Sequence, residues 1–123
     1  MALLVLIVDD NEQNAKLARD VLEAAGISTL SATTAADGLT LARSNQPDLV
    51  LMDLRLPDLD GVEAARRLRA EEATAQIPVV ALSATGAGEA NEWLGGGCFS
   101  GYIEKPIDVR DFPAQVRRYA LPC

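Results

Sequence analysis

The chain has 123 residues, with 18 acidic against 11 basic side chains, a formal net charge of −7 and no histidine. A net-negative chain without a basic block is a poor match for nucleic acid or an anionic membrane surface. Without imidazole, the Ser-His and Cys-His hydrolases and the His-containing zinc sites fall away, so any phosphoryl or acid–base chemistry must run on carboxylates, hydroxyls and amines.

In chain order, Leu3–Val8 reads as a buried strand, and Asp9-Asp10 follow it directly. From Asn14 onward, Leu17, Ala18, Val21, Leu22 and Ala25 recur at helical spacing, and Gly26 supplies the stop. Ile27–Ala32 is a weaker strand; Thr34 with Asp37 three residues later starts a second helix containing Leu39, Leu41 and Ala42. Leu49–Met52 is a short apolar run ended by Asp53, and Leu54–Asp60 is a loop. A third helix carries Val62, Ala65 and Leu68, with Asp58 and Asp60 as its expected caps. Pro78–Leu82 is the fourth strand. The span Ala87–Leu94 is a weak helix, because Gly86, Gly88 and Gly95–Gly97 surround it. Tyr102–Glu104 gives a fifth strand before Lys105-Pro106. A last helix carries Phe112, Val116 and Tyr119, and either Asp108 or Asp111 opens it; Pro113 fits the first turn only if Asp111 is the cap.

Five strands alternating with five helices imply an α/β fold with a parallel sheet covered on both faces, and near-continuous apolar strands agree. Right-handed crossovers and the chain's size point to a flavodoxin-like, doubly wound (βα)5 three-layer sandwich with strand order 2-1-3-4-5. No repeat or long linker divides residues 1–123, which read as a single domain with no output domain. The longest apolar run, Ala2–Val8, is too short for a membrane span and lacks the basic flank and cleavage site of a signal peptide. Cys98 and Cys123 make no disulfide framework and no metal motif, so a reduced, cytoplasmic setting is expected.

The polar residues that end the strands carry the functional argument. Asp9 and Asp10 follow strand one, Asp53 strand three, Ser83 strand four and Lys105 strand five. Every strand of a parallel sheet finishes at the same edge, where open α/β folds bind their ligands. Three carboxylates gathered there repel one another, and an oxygen-only donor set suits a hard cation, Mg²⁺ in particular. One carboxylate could then attack phosphorus to give an acyl phosphate, with Lys105 and the Ser83 hydroxyl holding the transferred oxygens. Alone, Asp9-Asp10 fits a helix N-terminus, Ser83 a cap and Tyr102 ordinary packing. The constellation is what lifts them. Arg66, Arg67 and Arg69 read as one solvated face.

These residues resemble the receiver domains of bacterial two-component response regulators. The resemblance runs from Leu3 to about Tyr119 and rests on Val8-Asp9-Asp10-Asn11, on Leu51-Met52-Asp53 followed by Leu56-Pro57 and Asp60-Gly61, on Ser83-Ala84, and on Tyr102 three before Lys105-Pro106. The segment Asp9–Lys16 is similar to stand-alone, single-domain receivers of the cell-cycle regulator type. The resemblance implies that Asp53 is the phosphoacceptor. It implies a metal site of Asp10, Asp9, Asp53 and the backbone carbonyl of Arg55, holding Mg²⁺ with Mn²⁺ as the alternative. Lys105, Ser83 and the Ala84 backbone would stabilise the phosphoryl group, Ser83 and Tyr102 would switch, and the bond before Pro106 would be cis. The implied partners are a sensor histidine kinase or histidine phosphotransfer protein, and an effector protein on the face of the fourth helix, fifth strand and fifth helix. The chain would be a monomer or a phosphorylation-dependent dimer that engages neither nucleic acid nor membrane.

Departures fall after Ser83, where Gly96-Gly97-Cys98-Phe99 stands in place of the usual Ala-Gly-x-Asp; Trp93 fits either the core or a partner surface, the latter being slightly favoured. Three other functions compete. An aspartyl-phosphate phosphatase would need a second Asp two residues past its nucleophile, where this chain has Arg55. A non-phosphorylated interaction module would not need Asp10, Asp53 and Lys105 together. An FMN-binding flavodoxin would meet repulsion between its phosphate and Asp9-Asp10.

Overall fold

A computed structural model describes residues 3–53, 58, 61–83, 101–104 and 109–120. Strand β1 (Leu4–Val8) leads through helix α1 (Glu12–Ala24) to β2 (Ser28–Ala32), then through α2 (Ala35–Asn45) to β3 (Leu49–Asp53). Helix α3 (Gly61–Ala70), β4 (Val79–Ser83), β5 (Gly101–Glu104) and a last helix, Phe112–Ala120, follow. The five strands form one parallel sheet in the order β2-β1-β3-β4-β5, as expected from the alternation of elements.

Successive side chains of a strand point to opposite faces, and the core divides accordingly. Leu6, Val8, Val50, Met52, Val79 and Ala81 pack on one face with the apolar stripes of α2 and α3. Val5, Ile7, Leu49, Leu51, Val80 and Leu82 pack on the other with Ala15, Ala18 and Leu22 of α1 and with Phe112 and Val116. Both faces of β1 and β3 are sealed, which explains their unbroken apolar sequences. Gly38 of α2 lies so close to β1 that a Cβ there would stand 2.7 Å from a Val8 methyl. The strand end that carries Asp9 is therefore tightly packed.

Helix boundaries follow from their caps. Asn11 accepts the amide protons of Gln13 and Asn14 at 3.0 and 3.1 Å, so α1 begins two residues before the expected Asn14. Gly26, at φ 85°, takes the left-handed conformation that ends the helix. Thr34 accepts the Asp37 amide at 3.2 Å, as its spacing predicts. The last helix starts at Phe112, and the Gln115 amide donates to the Asp111 carbonyl at 2.9 Å. Pro113 thus sits in the first turn, where its missing N–H would have had no helical partner.

Three expectations change. Leu17 is 40 % exposed and belongs to the outer face of α1, because the buried stripe runs through Ala15, Ala18 and Leu22. Arg69 leaves the solvated arginine face: its guanidinium donates to the Ala75 and Ile77 carbonyls, each at 2.8 Å, and holds the turn before β4. Arg66 and Arg67 do stay exposed, paired with Glu63 at 3.8 and 3.7 Å. Asp58 caps α2, not α3, as described below. Asp60 and the expected helix Ala87–Leu94 with Trp93 lie outside the described residues.

Candidate functional site

The sheet itself assembles the carboxylates. Val8 pairs with Met52 in the β1–β3 register, so the next residue of each strand, Asp9 and Asp53, comes to the same point at the carboxyl edge. The β3–β4 register sets Asp53 beside Leu82 and so brings Ser83 to that edge too. Ser83 in turn pairs with Glu104, the residue before Lys105.

Asp9 is 1 % exposed and Asp53 9 %, whereas Asp10 faces solvent. One carboxylate oxygen from each of the three lies within 4.8 Å of the others. Asp9 is pinned on both sides: its amide donates to the Ala32 carbonyl at 3.0 Å, and its Oδ1 accepts the Asn11 amide at 2.9 Å. The same Asn11 caps α1, so the turn that starts the helix also fixes the first acid.

Three carboxylates at this spacing repel unless a positive charge lies among them. Their donor atoms are all oxygens, two of them partly withdrawn from water, and the spacing lets them share one small ion. The residues therefore fit Mg²⁺, with Mn²⁺ as the alternative.

Of the predicted site residues, the structure brings Asp9, Asp10 and Asp53 together. It places the backbone of Ser83 at the carboxyl end of β4 and that of Tyr102 two residues before the end of β5. Their side chains, and Arg55, Ala84, Lys105 and Pro106 entirely, lie outside the described residues.

One neighbour of the site escapes sequence reasoning. Asp58, five residues past Asp53, was expected to cap the helix that follows it. Its carboxylate instead accepts the amides of Ala35 and Ala36 at 2.9 and 3.0 Å, one oxygen to each, and so caps α2 from a distance. The Ala35 amide, followed by that of Ala36, holds this exposed carboxyl below the usual carboxylate range. No local spacing could signal a cap that arrives 23 residues later in the chain.

The comparison with known proteins matches this geometry. The family model of the response regulator receiver domain matches residues 5–117. The polar-differentiation response regulator DivK of Brucella ovis is 41 % identical over 116 residues, covering 94 % of each chain. A response regulator structure from Chloroflexus aurantiacus superposes with a TM-score of 0.91 at 27 % identity, covering 98 % of both chains. The receiver domain of the sensor histidine kinase PA1611 from Pseudomonas aeruginosa, at 28 % identity and TM-score 0.87 over 98 % of both chains, carries a magnesium ion coordinated in its active-site cleft. With strand order, carboxylate cluster and near-full-length similarity in agreement, the chain belongs to the receiver-domain family of two-component response regulators, the phosphoaccepting domains of those signalling systems.

Proposed function

We propose that Asp53 is the residue phosphorylated, with Asp9, Asp10 and the Arg55 carbonyl completing a Mg²⁺ site around it. The supporting observation is the meeting of three carboxylates at the end of β1 and β3. An Asp53 oxygen attacks phosphorus, the P–N bond of a phosphohistidine breaks, and the imidazole leaves. Mg²⁺ held by these residues would supply positive charge that offsets the negative charge of the carboxylates and of the incoming phosphoryl group. Asp53 contributes the nucleophile, while Asp9, fixed by the Asn11 amide, holds its neighbour acids in a constant geometry. Lys105, Ser83 and the Ala84 backbone hold the phosphoryl oxygens after transfer, and Ser83 with Tyr102 passes the change on. The bond before Pro106 is cis in this reading.

The chain has no histidine, so the phosphoryl group comes from outside it; in this reading the donor is a phosphohistidine on a sensor histidine kinase or phosphotransfer protein. Residues 1–123 work as one receiver domain in the cytoplasm and do not act as an enzyme on external substrates. Output passes by protein contact through the face of the fourth helix, fifth strand and last helix, or by onward relay, from a monomer or a phosphorylation-dependent dimer. The likeness to the polar-differentiation response regulator DivK supports the finer reading of a stand-alone, single-domain response regulator. Neither nucleic acid nor membrane is a partner in this account. Among the described residues, no helix is long and apolar enough to cross a membrane.

The test offers the protein acetyl phosphate with Mg²⁺ and reads intact mass. The parent should gain one alkali-labile phosphate that Asp53→Asn does not. No adduct in the parent, or an equal adduct in the variant, refutes the assignment.

A further inference from the structure

Helix α2 is capped twice at its N-terminus, once by the adjoining Thr34 and once by Asp58 from far along the chain. Thr34 already satisfies the Asp37 amide locally, and the helical ladder begins with the Gly38 amide on the Thr34 carbonyl at 3.1 Å. The remaining amides, Ala35 and Ala36, are both taken by Asp58. Ala35 is fully buried, so its amide needs a protein partner, whereas the exposed Ala36 could leave its amide to solvent. Here both amides hold Asp58, five residues past Asp53 in sequence.

The segment 32–36 is attached at its other end to the first acid of the site. The Asp9 amide donates to Ala32 at 3.0 Å, and Val8 pairs with Ala32 in the β1–β2 register. Five consecutive residues therefore run from the backbone of Asp9 to the carboxylate of Asp58. The sheet joins Asp9 to Asp53 from below, through the pairing of Val8 with Met52. The turn joins the segments flanking the same two acids from the side. Helix α2 is itself well anchored: its Gly38 abuts Val8, and Arg43 near its far end pairs with Glu71 at 2.8 Å.

We infer that Asp58 is a positioning residue of the acidic site: by binding the Ala35 and Ala36 amides, it steadies the turn whose Ala32 carbonyl accepts the Asp9 amide and so raises the affinity for Mg²⁺. The inference rests on the metal site proposed above. Asp58 does not touch the three carboxylates in this account. It acts through the turn 32–36, which is bonded to Asp58 at one end and to the Asp9 amide at the other. Such outer contacts, which orient the groups that bind a metal, carry measurable affinity. The charge also suits the place, because a carboxylate at a helix N-terminus is favourable and Asp58 stays ionised there.

Calorimetric titration of the full chain with MgCl₂ tests this, using Asp58→Ala, Asp58→Asn, Thr34→Val and Asp10→Asn. Asp58→Ala should raise the Mg²⁺ Kd three- to tenfold, and Asp58→Asn, which keeps one acceptor oxygen, should raise it less. Thr34→Val removes the other cap of the same helix and should leave Kd within twofold, which separates positioning from helix stability. Without metal, amide exchange at Ala35 and Ala36 should quicken in Asp58→Ala. An unchanged Kd in Asp58→Ala, or an equal rise in Thr34→Val, overturns the inference while the metal site stands. An unchanged Kd in Asp10→Asn would overturn the metal site and this inference with it.

Discussion

Strand β3 has an aspartate before its first residue and another as its last, and the two solve different problems. At the amino edge, Asp48 is exposed and fully engaged with the backbone of β1: its Oδ2 accepts the Leu4 amide at 2.8 Å, and its own amide donates to the Leu4 carbonyl at 2.7 Å. It adds one rung to the β1–β3 ladder and does so alone. At the carboxyl edge, Asp53 is 9 % exposed and shares its surroundings with Asp9 and Asp10. One end of the strand uses an acid to close the sheet. The other gathers acids that repel one another and that a shared cation would hold together. Residue type is the same at both ends, so function lies in what the topology brings alongside.

Changes at the two ends should therefore differ in kind. The largest contrast is in metal binding. Asp9→Asn should weaken Mg²⁺ at least tenfold, about 1.4 kcal/mol, whereas Asp48→Asn should leave it within twofold. Calorimetry on the two variants decides, and equal losses would erase the distinction between the edges. The stability of the metal-free protein gives the next contrast, because here the signs oppose. Asp48→Ala removes the acceptor of the Leu4 amide and should cost about 1 kcal/mol in denaturant unfolding. Asp10→Asn relieves repulsion among the three acids and should stabilise the metal-free protein by up to about 1 kcal/mol. A destabilised Asp10→Asn would mean that the cluster is not repulsive.

The smallest effect concerns pH. Asp58 has a folded-state pKa below its unfolded value, so its contribution to stability is fully present above the unfolded aspartate pKa of about 3.9 and is lost as pH falls through the lower folded value. Comparing Asp58→Asn with the parent between neutral and acid pH should show a stability difference that shrinks below that point. A difference that grew on acidification would contradict the assigned direction.

Much of this was legible in the sequence. The parallel sheet followed from strict alternation and its strand order from right-handed crossovers and chain size, and the meeting of Asp9, Asp10 and Asp53 followed from parallel strands ending at one edge. Local caps were legible too when cap and helix adjoin, as at Thr34 and Asp37. The contacts missed were those made across the chain. Asp58 reaches α2, Asp48 reaches β1, and Arg69 turns from its helix face to two carbonyls before β4. Each satisfies backbone groups at an element's end, and only the assembled layers reveal which end lies near. Leu17 shows the converse: helical spacing admits it to the apolar stripe, yet packing against the sheet selects Ala15, Ala18 and Leu22.

The central claim is that one of these aspartates, and not its neighbours, carries the phosphoryl group. Acyl phosphates are reduced by borohydride to the alcohol, which converts the modified aspartate to homoserine. After treatment with acetyl phosphate and Mg²⁺, then borohydride, peptide mass mapping should find homoserine at position 53 alone. Homoserine at position 9, 10 or 48, or an unmodified position 53 in protein shown to be phosphorylated, would contradict it.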